Sequence, residues 1–107
     1  MKKEIEIIAY SEERTGISGR SGEQWFNRDL VVQWLEEGAN GRYEQQTVVS
    51  IGKRLNPKLL EDAVKNREKI EVSIYFGYRE YDGTNGKAYF AQTKCYLPEA
   101  YELKEVK

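Results

Sequence analysis

The chain has 107 residues, 39% of them apolar and 33% charged, with 17 Lys and Arg against 18 Asp and Glu. This length fits one domain with one core and no deep multi-part active site. The net charge of −1 excludes a globally basic nucleic-acid-binding surface but leaves room for a local patch. There is no His and a single Cys95, which excludes Ser-His-Asp, Cys-His and HExxH chemistry, disulfide frameworks and multi-Cys zinc sites.

At the N-terminus, Glu4 and Glu6 break the apolar run after Lys2-Lys3. No secretory signal or membrane span is predicted, and a soluble cytoplasmic protein is expected. Ile5, Ile7 and Ala9 alternate with Glu4, Glu6 and Ile8, so residues 4–10 read as a first strand. Residues 11–23 hold Gly16, Gly19 and Gly22 with no period and read as a mobile polar loop. A second strand is predicted over Gln24–Trp34, with Phe26, Leu30, Val32 and Trp34 inward and Trp25, Asn27, Asp29 and Gln33 outward. Arg28 falls on its inward phase, which requires either a barrel mouth or a bulge.

Asn40-Gly41 marks a hairpin within residues 35–41, and Tyr43–Gly52 reads as the return strand. Asn56-Pro57 is a helix start, an N-cap followed by Pro at the first helical position. Leu59, Leu60, Ala63 and Val64 extend it to a helix near 57–67. Ile70, Val72, Ile74 and Phe76 form the inward phase of a fourth strand, and Gly77 is predicted to mark a bulge that shifts the phase before Tyr78–Tyr81. Asp82–Gly86 reads as a hairpin loop. The last strand spans Lys87–Leu97, with Tyr89, Ala91, Thr93 and Cys95 on one side and Phe90, Gln92, Lys94 and Tyr96 on the other. Pro98 stops it, and residues 98–107 are expected to be a frayed, charged tail.

Three strands, a helix and two strands match an all-β fold, the five-stranded Greek-key OB barrel with one helix between strands three and four. An α+β sheet with a packed helix is the competing arrangement. The chain is expected to be a single domain over 1–107, with its core at about 4–97.

Catalytic readings are few. The stretch Gly16–Gly22 lacks the Gly-Lys-Ser/Thr and the following helix that a phosphate loop needs. A metal-dependent nuclease on Asp29, Glu44 and Arg79 is conceivable, but their spacing does not single it out. A non-enzymatic protein without cofactor or metal is expected.

The aromatic residues say more. Eight Tyr and two Trp outnumber three Phe, so the rings favour half-wet surfaces. Trp25, Tyr75, Phe90 and Tyr96 lie on outward phases, with Arg20, Arg28, Arg79 and Lys94 near them in sequence. Rings interleaved with cations suit single-stranded nucleic acid, where bases stack and cations follow the phosphates. The expected roles are stacking by Trp25, Tyr75, Tyr81 and Phe90, phosphate contact by Arg20, Arg28, Arg79 and Lys94, and base hydrogen bonding by Gln46. The alternative is a protein–protein or oligomerisation module whose rings bury against a partner or a second copy. Charge is uneven: residues 42–69 hold seven cations against four acids, among them Lys53 and Arg54.

The stretches SGRSGEQWFNRDLVVQ, YEQQTVVSIG, VSIYFGYREYDG and AYFAQTKCY resemble a family of small OB-fold proteins of Bacteroidetes and their mobile elements that are treated as single-stranded-DNA-binding. The likeness covers about residues 4–97, and Trp25, Arg79, Tyr81, Lys94 and Tyr96 occupy its matching positions. The hairpin after Leu35 is longer here, and Lys94 and Tyr96 stand where that family tends to carry Arg and Trp. The resemblance implies a partner in single-stranded DNA; RNA is open as a variant of the same chemistry, and a small homo-oligomer is expected.

Overall fold

Period-two alternation builds most of the molecule. The structure, a computed structural model, describes residues 1–103. Its strands are β1 (Lys2–Tyr10), β2 (Arg14–Ile17), β3 (Gln24–Gly38), β4 (Gly41–Ile51), β5 (Ile70–Gly83) and β6 (Gly86–Tyr96), with helix α1 (Pro57–Lys65) between β4 and β5. All strand pairs are antiparallel. β3 pairs with β1 and β2 along one edge and with β4 along the other, β1 pairs with β5, and β5 with β6. The expected all-β class is present, as a six-stranded sheet that is not closed: β4 and β6 do not pair. Among the described residues no helix is long and apolar enough to cross a membrane.

The sixth strand is β2, which lies inside the segment expected to be a loop. The chain leaves β1 through Ser11, whose N–H donates to the Asp29 carbonyl at 2.9 Å, and rejoins the same edge of β3 at Arg14↔Asn27. The one irregularity in the described pairing of β1 with β3 falls between Ile7 and Ala9. Arg28 therefore needs no bulge of its own. It sits half-buried on the inward phase, with its guanidinium 5.6 Å from the Tyr10 ring centroid.

The inward faces of β1, β3, β4 and β5 enclose Ile5, Ile7, Leu30, Val32, Val49 and Ile74, all almost fully buried. Helix α1 adds Leu60 and Ala63 to this cluster. The Asn56 side-chain oxygen accepts from the Lys58 N–H at 3.0 Å, capping the helix as the sequence predicts. The helix ends with Arg67 in the left-handed region at φ 51°, and the Glu68 N–H returns to the Ala63 carbonyl at 3.0 Å. The segment after Pro98 is tied down rather than frayed over its described part. A short 3-10 turn spans Glu99–Tyr101, the Asn56 N–H donates to the Tyr101 carbonyl at 2.8 Å, and the Leu103 N–H to the Arg54 carbonyl at 2.9 Å. The remainder of the expected tail, 104–107, lies outside the described residues.

Two ribbons run out of this body. The described pairing of β1 with β5 ends at Ser73 and that of β1 with β3 at Gln33. Beyond those points β5–β6 and β3–β4 continue as two-stranded hairpins. The radius of gyration is accordingly 16.2 Å, against about 13 Å for a compact chain of this length.

Three carboxylates stitch the sheet to its surroundings. Hydrogen bonding from Lys69, with Arg67 beside it, holds the Glu6 carboxyl below the usual range. The Ser50 hydroxyl at 2.7 Å and Arg14 at 2.8 Å do the same for Asp29. Lys3 and the Trp34 indole N–H, the latter at 2.6 Å, do so for Glu36. A carboxyl whose folded pKa is depressed contributes its full stabilisation above its unfolded value and loses it as pH falls through the folded value. Urea unfolding midpoints should therefore stay level from neutral pH down to the ordinary values of 4.5 for Glu and 3.8 for Asp, then fall. Glu6→Gln should cost about 1 kcal/mol at neutral pH, a charge-assisted hydrogen bond partly screened by water, and should flatten that acid decline.

Candidate nucleic-acid interface

The β5–β6 ribbon keeps one register from Ser73↔Tyr96 to Gly83↔Gly86. Because side chains alternate between faces, an unbroken register sorts them by parity. The outer face takes Tyr75, Arg79 and Tyr81 from β5, and Phe90, Gln92, Lys94 and Tyr96 from β6. The expected bulge at Gly77 is absent. Gly77 lies directly opposite Gln92 in the continuous ladder, and nothing lies within 4 Å of where its Cβ would be. A phase shift there would have moved Arg79 and Tyr81 to the face opposite Tyr75.

On this face the rings meet edge to face. Tyr75 and Tyr96 have centroids 6.0 Å apart at 71°, and Tyr81 and Phe90 are 5.1 Å apart at 78°. The Arg79 guanidinium lies 5.3 Å from the Tyr81 centroid. The four rings remain 45–55% exposed, so their packing against one another leaves a face of each open. From Tyr96 to Tyr81 the strip covers about eight residue steps, or about 26 Å. The ribbon's acids, Glu80 and Asp82, are on the other face, where Glu80 pairs with Lys87 at 3.0 Å. Among the described residues neither Arg79 nor Lys94 forms an ion pair.

At the root of the strip, Lys94 and Tyr96 border a cavity of about 300 Å³ between the ends of β4 and β6, together with Lys53, Leu55 and Glu102. Lys53 is held by Glu102 at 2.9 Å, which raises its pKa. Cys95 lines the same cavity, and burial pushes its thiol up to about 11, so little thiolate is available for chemistry at neutral pH.

The other four expected binding residues lie elsewhere. Arg20 is exposed in the turn between β2 and β3. Arg28 stacks on Tyr10 at the start of the sheet's inner face. The Gln46 amide donates to the Gln33 side-chain oxygen at 3.0 Å, across β3–β4. Trp25 lies over Gly16 of β2: a Cβ on Gly16 would come within 2.5 Å of an indole carbon. The ring thus covers a strand glycine and clasps β2 to β3. Of the three nuclease candidates, Asp29 is committed to Ser50 and Arg14, Glu44 lies on β4 opposite Leu35, and Arg79 is on the other hairpin. Gln92, at the centre of the strip, was not singled out from sequence, although its alternation with Phe90 and Lys94 marks it.

Comparison with protein-family models, with curated proteins and with solved structures finds no match for this chain.

The Trp25–Gly16 contact is open to direct test. Gly16→Ala should displace the indole, moving the Trp25 ring N–H resonance in a ¹H–¹⁵N spectrum, while that of Trp34, bound to Glu36, stays in place. The loss of stability should be about 1 kcal/mol. An unmoved Trp25 resonance would show that the ring does not rest on this glycine.

Proposed function

We propose that the protein is a non-enzymatic, single-stranded-DNA-binding protein of the OB type that seats the strand along the outer face of the β5–β6 ribbon. One observation carries this reading: four half-open rings and two cations that form no ion pair among the described residues share a face on which neither ribbon acid lies. Rings on such a strip can stack on any base, so little sequence preference is expected, while Arg79 and Lys94 take phosphates and Gln92 offers a polar group to base edges. The OB assignment is supported by the order β4-β3-β1-β5-β6 with the helix between β4 and β5, the order of a Greek-key barrel opened between its third and fifth strands. RNA shares the stacking and phosphate chemistry, and competition between oligo-dT and oligo-rU separates the two.

The test is fluorescence anisotropy of labelled oligo-dT across a salt series. Two phosphate contacts give a log–log salt slope of about −1.4, and Arg79→Ala with Lys94→Ala should abolish most of it. Phe90→Ala should weaken binding roughly tenfold, within the 1–3 kcal/mol range of a stacked base. Absence of binding at low salt, or variants that bind as tightly as the parent, would overturn the proposal.

A further inference from the structure

The ribbon has a second face, made by the even-numbered residues of β5 and the odd-numbered residues of β6. It continues the phase of the core beyond Ile74 and Cys95, the last buried pair. Phe76, expected from sequence to be in the core, lies past that limit. It touches Trp34 at a centroid distance of 6.0 Å and is still 55% exposed. Further out, Tyr78 and Tyr89 pack edge to face at 5.9 Å and are 70% and 62% exposed. Among the described residues no third strand pairs with this stretch of β5, and a two-stranded ribbon by itself is marginally stable in water.

We propose that this inner face is an interface between two copies of the chain, an inference independent of what the outer face binds. The face is complementary to itself. Its rows are Phe76↔Thr93, Tyr78↔Ala91, Glu80↔Tyr89 and Asp82↔Lys87, so each row sets a ring against a smaller group or an acid against a base. A two-fold contact with the ribbons antiparallel, and the bodies at opposite ends, lays the Tyr78↔Ala91 row on the Glu80↔Tyr89 row of the second copy. Each Tyr89 ring then meets an Ala91 methyl, and each Tyr78 hydroxyl comes within reach of a Glu80 carboxylate. The Phe76↔Thr93 row of each copy then lies over the Asp82↔Lys87 row of the other, at the two ends of the contact. The face offers on the order of 600 Å² per copy, the lower end of a standard interface. Its two acids, Glu80 and Asp82, against the single cation Lys87 make it a poor seat for phosphates.

Sedimentation equilibrium of the full chain at micromolar concentration should give twice the 12.5 kDa protomer mass. Ala91→Lys with Tyr89→Lys places like charges across the two-fold. It should weaken dimerisation roughly tenfold or more, with an unchanged far-ultraviolet circular dichroism spectrum showing that the body still folds. Phe90→Lys, on the outer face, should leave the dimer intact. The inference is overturned by a monomeric parent chain, by an inner-face variant that stays dimeric, or by Phe90→Lys dissociating it equally. It is overturned as well if the parent is monomeric and the inner-face variant loses oligo-dT affinity, which would make this face a nucleic-acid surface.

Discussion

A register held without slip over eleven paired rows governs both faces of the β5–β6 ribbon. The alternation that buries Ile70, Val72 and Ile74 in the body continues past the point where neighbouring strands end. The same parity that makes a core in the first half of β5 makes two exposed and chemically distinct faces in the second half. A slip of one residue anywhere along the ladder exchanges those faces beyond it. Gly77 is the position where a slip would be easiest, since a residue without a Cβ tolerates a bulge. The ladder passes through it unbroken, which keeps Arg79 and Tyr81 with Tyr75.

This sorting reconciles a net charge of −1 with the surface proposed to bind an anionic chain. The ribbon sets the acids Glu80 and Asp82 against the bases Arg79, Lys87 and Lys94, so its average is nearly neutral while each face is not. Glu80, Asp82 and Lys87 share the inner face, and Arg79 and Lys94 stand on the outer one among the rings. Composition reports the average, whereas a ligand meets a face. The β3–β4 side works differently: its polar side chains, Gln33 with Gln46 and Asp29 with Ser50 and Arg14, are hydrogen-bonded to one another. They hold strands together and are thereby spent.

Much of the fold was legible in the residues. Asn56-Pro57 and the alternation of Ile5, Leu30, Val49 and Ile74 each carry a local signal that matches the structure, and Asn40-Gly41 signals a hairpin whose turn falls one residue earlier, at Ala39-Asn40. The failures share a cause, which is dependence on residues distant in sequence. Arg14–Ile17 has the composition of a loop and becomes a strand through β3 and the Trp25 ring over Gly16. Phe76 has the phase of a core residue, but its burial turns on whether a third strand reaches it. Six of the ten expected binding residues share one face because their strands pair. Trp25, Arg28 and Gln46 are drawn into local contacts that outward or inward phase alone does not reveal.

The most direct measurement is a ¹H–¹⁵N and ¹H–¹³C spectrum of the protein titrated with oligo-dT, with side-chain assignments along the ribbon. Perturbations should follow parity: large at Tyr75, Arg79, Tyr81, Phe90, Gln92, Lys94 and Tyr96, and small at Phe76, Tyr78, Ala91 and Tyr89. Shifts that ignore parity, or that cluster on β3 and β4 and leave the ribbon unchanged, would contradict the account.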